Sequence, residues 1–110
     1  MNELQIFNYS GNEIRTIEKE DGVWWVLADV CKVLGISNPT MTAQRLDTDE
    51  VAKFDLGGLS GESWIINESG LYNVIIRSDK QEAVPFRRWV THEVLPSIRK
   101  HGAYMTPETL

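Results

Sequence analysis

The sequence is poor in the residues that build metal and redox sites. Its 110 residues include one cysteine, Cys31, and two histidines, His92 and His101. A single cysteine excludes an internal disulfide and a thiolate metal cluster, because both need at least a second thiol. Two histidines are too few to hold a metal ion without further ligands. We therefore expect neither a bound metal nor a cofactor.

Enzyme motifs are incomplete. The stretch "HEVLP" begins like the helix of a zinc protease, but Pro96 stands where the second histidine would be required. The stretch "GGLSG" lacks the Lys and Ser/Thr of a phosphate-binding loop, and it is typical of a hairpin turn instead. No nucleophile stands beside a general base in any recognisable pattern. The sequence predicts a protein that is not an enzyme.

The chain also lacks long apolar runs. No stretch approaches the roughly 20 apolar residues of a membrane span. Residues 1–13 have neither the basic nor the apolar region of a signal peptide. With a single cysteine, these features predict a cytoplasmic protein without a membrane partner. A composition that is 42% hydrophobic and 25% charged is typical of one globular domain at this length.

Positive charge is scarce but unevenly placed. The formal net charge is −5. Residues 1–76 hold five Lys/Arg against twelve Asp/Glu, hence −7, whereas residues 77–101 hold six against three, hence +3. Phosphate contacts need a positive surface, so the C-terminal third is the part of the sequence suited to nucleic acid.

Turn signals and apolar periodicity predict an α+β fold. Residues 3–27 read as a β-meander, in which Asp21-Gly22 forms a two-residue primed turn with positive φ. A second hairpin surrounds "GGLSG". Helical patterns follow over 27–35, 37–46, 67–78 and about 82–100. We expect a small antiparallel sheet, made of the meander and the second hairpin, packed with about four helices.

The last helix is predicted to be long and kinked at Pro96. Proline lacks an N–H, so the carbonyl of His92 loses its helical partner. On a straight helical wheel the apolar stripe consists of Phe86, Val90, Val94 and Ile98, widened by Trp89. Glu93 falls inside this apolar arc. We therefore expect Trp89 to be buried and Glu93 to be paired with Arg77 or Lys100 as a structural contact.

The opposite side of that wheel is basic. Arg88, His92 and Arg99 fall within about 40° of one another at 100° per residue. Two interpretations remain open on the residues alone: a basic recognition surface, or a core helix with a solvated back.

Residues 27–46 read as helix, glycine turn, helix, which is the spacing of a helix-turn-helix. The second helix would present Thr40, Thr42, Gln44 and Arg45. Helix pairs with a short glycine turn are common in other proteins, and Arg45 is the one positive residue in this helix. From its spacing and residues alone, this helix pair is therefore predicted to make few contacts with DNA.

Three blocks of the sequence resemble the N-terminal domain of the BRO family. They are "WWVLADVCKVLGISNP", "NESGLYNVIIRSDKQEA" and "FRRWVTHEVLPSIRKHGAY", and they occur in the family's order between about residues 4 and 104. The family occurs in phage and prophage antirepressors and in large DNA viruses. The resemblance implies a compact α+β domain over residues 1–104. Residues 105–110 are then a tail, or the start of a linker to an absent C-terminal domain.

The resemblance also implies DNA binding, and with the charge distribution it gives the candidate residues. These are Arg77, Lys80, Arg87, Arg88, Arg99 and Lys100, with Thr42, Gln44 and Arg45 of the second helix. The resulting prediction is a phage-type antirepressor or BRO-like regulatory domain that binds DNA weakly in transcriptional regulation of a prophage or virus. The alternative is a protein-interaction module that binds a phage repressor, or self-associates as a homo-oligomer, without contacting DNA.

Overall fold

The computed structural model describes residues 3–57, 61–78 and 83–101. Five antiparallel strands form one sheet: β1 (Glu3–Tyr9), β2 (Asn12–Lys19), β3 (Gly22–Val26), β4 (Val51–Asp55) and β5 (Glu62–Ile66). Their order is β1-β2-β3-β5-β4, so β1 and β4 are the edge strands. The predicted meander and second hairpin are both confirmed.

A primed turn joins β1 to β2. Ser10 and Gly11 both have positive φ, 50° and 83°, as both central residues of a type I′ turn require. Tyr9 and Asn12 pair on either side of this two-residue loop. The Asn8 side-chain oxygen accepts a hydrogen bond from the Gly11 N–H at 3.1 Å, which holds the turn closed.

The turn between β2 and β3 differs from the prediction. Lys19 pairs with Gly22, and positive φ is found at Gly22 (123°) but not at Asp21. The prediction of a primed turn at Asp21-Gly22 is therefore wrong in type, although glycine does supply the positive φ. Asp21 instead accepts a hydrogen bond from the Trp24 indole N–H at 2.9 Å. Because Lys19 pairs with Gly22, the loop consists of Glu20 and Asp21, and the glycine follows the loop instead of standing inside it.

Capping residues mark the starts of α2 and α3 and the end of α1. They are α1 (Leu27–Leu34), α2 (Pro39–Gln44) and α3 (Glu68–Arg77), followed by α4 (Ala83–Trp89), a π turn (Val90–Val94) and α5 (Leu95–His101) without a break. The side chains of Asn38 and Asn67 accept the N-terminal hydrogen bonds of α2 and α3. Gly35, with φ of 71°, ends α1. None of the helices in the described part of the chain combines the length and apolarity that crossing a bilayer requires.

The main core lies between one face of the sheet and the helices. Strand residues such as Ile14, Trp25 and Ile66 are fully buried against Leu71 and Phe86. A smaller cluster formed by Ile17, Trp24, Val26 and Ile65 lies on the other face, because successive strand residues point to opposite sides. The predicted α+β architecture is confirmed.

A π turn, rather than a simple kink, precedes Pro96. The Leu95 N–H donates to the Val90 carbonyl, five residues back. This wider turn contains one extra residue, so the residues beyond it are rotated back by roughly 100° relative to a straight helix. On a straight wheel, Phe86 and Ile98 lie about 120° apart. The rotation brings them onto one line with Val90 and Val94, and all four are buried.

The same rotation changes the surroundings of Glu93 and Trp89. Glu93 is exposed, since the π turn removes it from the apolar arc, and it forms no ion pair with Arg77; the side chain of Lys100, the other expected partner, lies outside the described residues. The predicted pairing thus loses its physical reason. Trp89 is half-buried rather than buried, with its ring against Tyr9 (5.0 Å between centroids) and Phe86 (5.8 Å). Val94 is buried as expected.

Candidate nucleic-acid interface

Exposed arginines lie on or next to α2, α3 and the last helix. They are Arg45, Arg77, Arg87, Arg88 and Arg99. The ion pairs between described side chains are Arg15–Asp29 and Lys53–Glu62, so none of these five arginines is neutralised by a carboxylate contact in that part of the chain. An exposed arginine that forms no ion pair offers the planar donors of its guanidinium group to a phosphate or carboxylate.

The π turn brings Arg87 and Arg99 to the same side of the last helix. Burial and the neighbouring Glu68 raise the pKa of Tyr72, and the positive charges of Arg87 and Arg99 partly offset that rise. Both guanidinium groups therefore lie near one phenol on α3. We call Arg87, Arg99 and Tyr72 the Tyr72 cluster. The Tyr72 hydroxyl donates a hydrogen bond to the Glu68 carboxylate, so the two guanidinium groups are the donors that this cluster offers to an anion.

Arg88 and His92 face a different direction. The His92 Nδ1 atom lies 3.0 Å from the Arg88 carbonyl oxygen and 2.9 Å from the Thr91 hydroxyl oxygen, so the imidazole ring lies against its own helix. Residues 87 and 88 are about 100° apart on the helix, so Arg88 is directed away from the Tyr72 cluster. The expected grouping of Arg88, His92 and Arg99 on one face is corrected by the π turn, which removes Arg99 from it.

Arg45 and Arg77 meet beside a small cleft. The Arg77 Nη1 atom lies 3.5 Å from the Arg45 carbonyl oxygen. Both residues line a cleft of about 190 Å³ whose apolar wall includes Leu34, Ile36 and Val74. This cleft lies where the C-terminal ends of α1, α2 and α3 approach one another.

The predicted second helix of the helix-turn-helix is short. α2 has six residues, and its inward side is fixed by the buried Ala43. Thr42 is half-buried, and its hydroxyl donates to the Asn38 carbonyl at 3.1 Å. Gln44 is exposed. Lys80 lies outside the described residues, as does the side chain of Lys100, so both remain candidates by sequence only.

Glu50 fixes the position of α3, a role that sequence reasoning missed. Its side chain is 5% exposed, and its carboxylate accepts hydrogen bonds from the Ser69 hydroxyl (2.6 Å) and the Asn73 amide (2.7 Å). The Glu50 carbonyl accepts the Asn67 N–H at 3.1 Å. A Cβ at Gly70 would lie 2.9 Å from that carbonyl oxygen, which explains a glycine inside the helix. Arg77 is therefore carried on a helix whose start is tied to β4.

The Glu50 network predicts a pH dependence of stability. The hydrogen bond from Ser69 is the main cause of a lowered Glu50 pKa, against the opposing effect of burial. A carboxylate with a lowered folded pKa contributes stability above its unfolded pKa, about 4.3, and loses it as the pH falls through the folded pKa. Glu50→Gln should therefore reduce the unfolding free energy at pH 7 by about 1–3 kcal/mol and flatten the loss of stability below about pH 4.

Urea unfolding of both proteins at neutral and acidic pH measures this effect. Glu62→Gln is the matched control, because Glu62 is exposed and its nearest cation, Lys53, is 3.9 Å away. Equal effects of the two substitutions at pH 7 would contradict the role given to Glu50.

Comparison with known proteins decides the family. The model of the BRO family N-terminal domain matches residues 13–96, which is most of the chain. The chain belongs to the BRO family. Four of the five exposed arginines of this Bro-N domain fall inside the match, and Arg99 follows three residues after its end.

Relatives of this Bro-N domain occur in bacteria and large DNA viruses. An uncharacterized protein of Haemophilus influenzae is 39% identical over 116 residues, a match that covers 99% of this chain and 58% of the relative. A putative Bro-N domain-containing protein of Invertebrate iridescent virus 6 is 34% identical over 94 residues, a match that covers 86% of this chain and 20% of the relative. An uncharacterized Bro-N domain-containing protein of Acanthamoeba polyphaga mimivirus is 30% identical over 125 residues, a match that covers 96% of this chain and 51% of the relative. The chain thus spans between a fifth and three fifths of these relatives' lengths. No solved structure matches it significantly.

Proposed function

We propose that this Bro-N domain acts as a phage-type antirepressor or BRO-like regulator that binds duplex DNA weakly through phosphate contacts. Family membership supports a regulatory role. The observation that carries DNA contact is the set of five exposed arginines that form no direct ion pair with a described carboxylate, on or beside α2, α3 and the last helix of an acidic chain. An acidic protein that keeps such a set unpaired retains a local positive surface, which is what phosphate binding requires.

The Tyr72 cluster is the best-defined phosphate site in this set. Two guanidinium groups lie near one phenol, so both can donate hydrogen bonds toward one anion, while the Glu68 carboxylate beside Tyr72 keeps that binding weak. Contacts of this kind position a protein on the DNA backbone without reading its sequence. We therefore expect binding to random duplex as well as to any operator.

Salt dependence tests the proposal. Because the rest of the chain is acidic, we expect only about three or four phosphate contacts, which gives a slope of log affinity against log salt of about −2.7 to −3.6, at about −0.9 per contact. Fluorescence anisotropy of a labelled random duplex, titrated between roughly 50 and 200 mM salt, measures this slope. Absence of binding at about 50 mM salt and 100 μM protein, the weak end of non-specific affinity, would contradict DNA binding.

A second candidate function is protein interaction, with a phage repressor as the partner class. The observation that favours it is an exposed apolar edge: Leu4 is 50% and Ile6 57% exposed on strand β1. Binding of this kind depends on an apolar centre with a polar rim rather than on arginines. Its affinity should therefore change little over the salt range in which DNA binding is lost.

A further inference from the structure

Strand β1 has an open edge. It is the first strand in the order β1-β2-β3-β5-β4, and nothing in the described residues pairs with its outer side. Glu3 is the charged residue of this strand, at its first position; residues 4–9 contain no charged residue and no proline, the two devices that usually protect an edge from another strand. The other edge strand, β4, carries Lys53 and Asp55. Strand β1 is thus the edge of this sheet that is less protected against pairing with another strand.

The outward backbone groups of β1 can be assigned. Tyr9 and Asn12 flank a two-residue hairpin loop, so they form a hydrogen-bonded pair, and alternate residues back along β1 also point to β2. The Thr16 hydroxyl accordingly donates to the Gln5 carbonyl at 3.4 Å. The N–H and C=O groups of Leu4, Ile6 and Asn8 therefore point outward and are available to another strand.

The side chains next to this edge are apolar on one face and held by the last helix on the other. Leu4 and Ile6 project from the face opposite the helices, and about half of each side chain is exposed. On the helix side, the Phe7 ring packs edge-on against Trp89, at 6.3 Å between centroids. A cleft of about 300 Å³, lined in part by Gln5, Phe7 and Ile98, leaves space beside the edge there.

We propose that this edge pairs with the same strand of a second copy of the chain. In an antiparallel two-fold arrangement centred on Gln5, Leu4 of each copy stands opposite Ile6 of the other. Both pairs then use the outward backbone groups, and both place exposed apolar side chains against each other. Residues 4–9 are uncharged, and in this register Glu3 stands opposite Phe7 rather than opposite Glu3 of the other copy, so two copies meet here with less repulsion than the net charge of −5 would cause elsewhere.

The proposed interface between two β1 strands is small, and we therefore expect the dimer to have a low affinity. Pairing of one short strand per copy buries less than the 1,200–2,000 Å² of a standard stable interface. We expect a weak dimer with a Kd on the order of 10–100 μM. The inference does not depend on DNA binding. A dimer would, however, present the exposed arginines twice and raise the apparent DNA affinity through bivalent contact.

Sedimentation velocity on Ile6→Lys and Ile76→Lys tests the location. Ile76 lies on α3 and is 75% exposed, so both variants replace an exposed isoleucine by a lysine with the same change in charge. Wild type and Ile76→Lys should sediment as a monomer–dimer mixture at roughly 100 μM, whereas Ile6→Lys should be monomeric. A monomeric wild type at that concentration, or equal loss of dimer in both variants, would overturn the inference.

Disulfide cross-linking tests the register and does not depend on the folding of a lysine variant. In the proposed pairing Gln5 faces Gln5 of the other copy as a non-hydrogen-bonded pair, with Cα atoms about 4.5 Å apart, which a disulfide can span. Gln5→Cys should therefore form covalent dimers under mild oxidation, and Asn8→Cys on the same strand should not. Cross-linking of Asn8→Cys, or of neither variant, would contradict this register. Because neither readout involves DNA, failure here leaves the proposed function standing, and the reverse also holds.

Discussion

Phe86→Ala is expected to lower the free energy of unfolding by about 3–5 kcal/mol, the usual cost of removing a fully buried aromatic ring. Phe86 is 0% exposed, and its ring packs against Tyr9 of β1 at 5.3 Å and against Trp89 at 5.8 Å. The ring therefore joins the edge strand to the last helix, and a cavity there would weaken both attachments. Urea unfolding followed by tryptophan fluorescence measures the change.

Val84→Ala is the matched control for Phe86→Ala. Val84 lies on the same helix, but it is 60% exposed. Its truncation should change stability by less than about 0.5 kcal/mol. A small effect of Phe86→Ala, comparable with that of Val84→Ala, would show that the last helix does not pack on β1 in this way.

Arg87→Glu combined with Arg99→Glu is expected to abolish detectable DNA binding. The two residues lie near Tyr72 in the same cluster, so reversing both charges replaces two phosphate donors by two repelling carboxylates. Both side chains are exposed, and stability should therefore change by less than about 0.5 kcal/mol per residue. Anisotropy titrations at low salt and urea unfolding of the same preparations measure the two effects.

Lys32→Glu combined with Lys53→Glu is the matched control for that double variant. Both lysines are exposed, on α1 and β4, and the change in net charge is the same. The control should retain DNA binding with a modest loss from the more negative net charge. Equal loss in both double variants would mean that overall charge, rather than the Tyr72 cluster, governs binding.

The elements that depend on local signals were predictable from the sequence. Asn67 caps α3, Gly35 ends α1, and apolar alternation defines the meander, because each signal acts within a few residues of where it stands. The turn at Asp21-Gly22 was predicted with the wrong type. Its type depends on the strand register: Lys19 pairs with Gly22, which places the glycine after the loop, and a dipeptide pattern does not include that register.

The arrangement of the candidate site was less predictable. The arginines themselves could be found from the charge distribution, but their grouping depends on the π turn, which shifts Arg99 relative to Arg88. The part played by Glu50 depends on contacts with residues 19 and 23 positions away in the sequence, at Ser69 and Asn73. An acidic residue directly before a strand and a glycine within a helix were the available signals, and neither identifies its partner.

An NMR titration of the isotopically labelled chain with a short random duplex at low salt tests the central claim most directly. The account predicts that the side-chain Nε resonances of Arg77, Arg87 and Arg99, together with backbone amides around Tyr72, shift progressively as DNA is added. Resonances of β4 should stay in place. Shifts confined to β1 or β4, or no shift at a protein concentration near 100 μM, the weak end of non-specific affinity, would contradict DNA binding by these arginines.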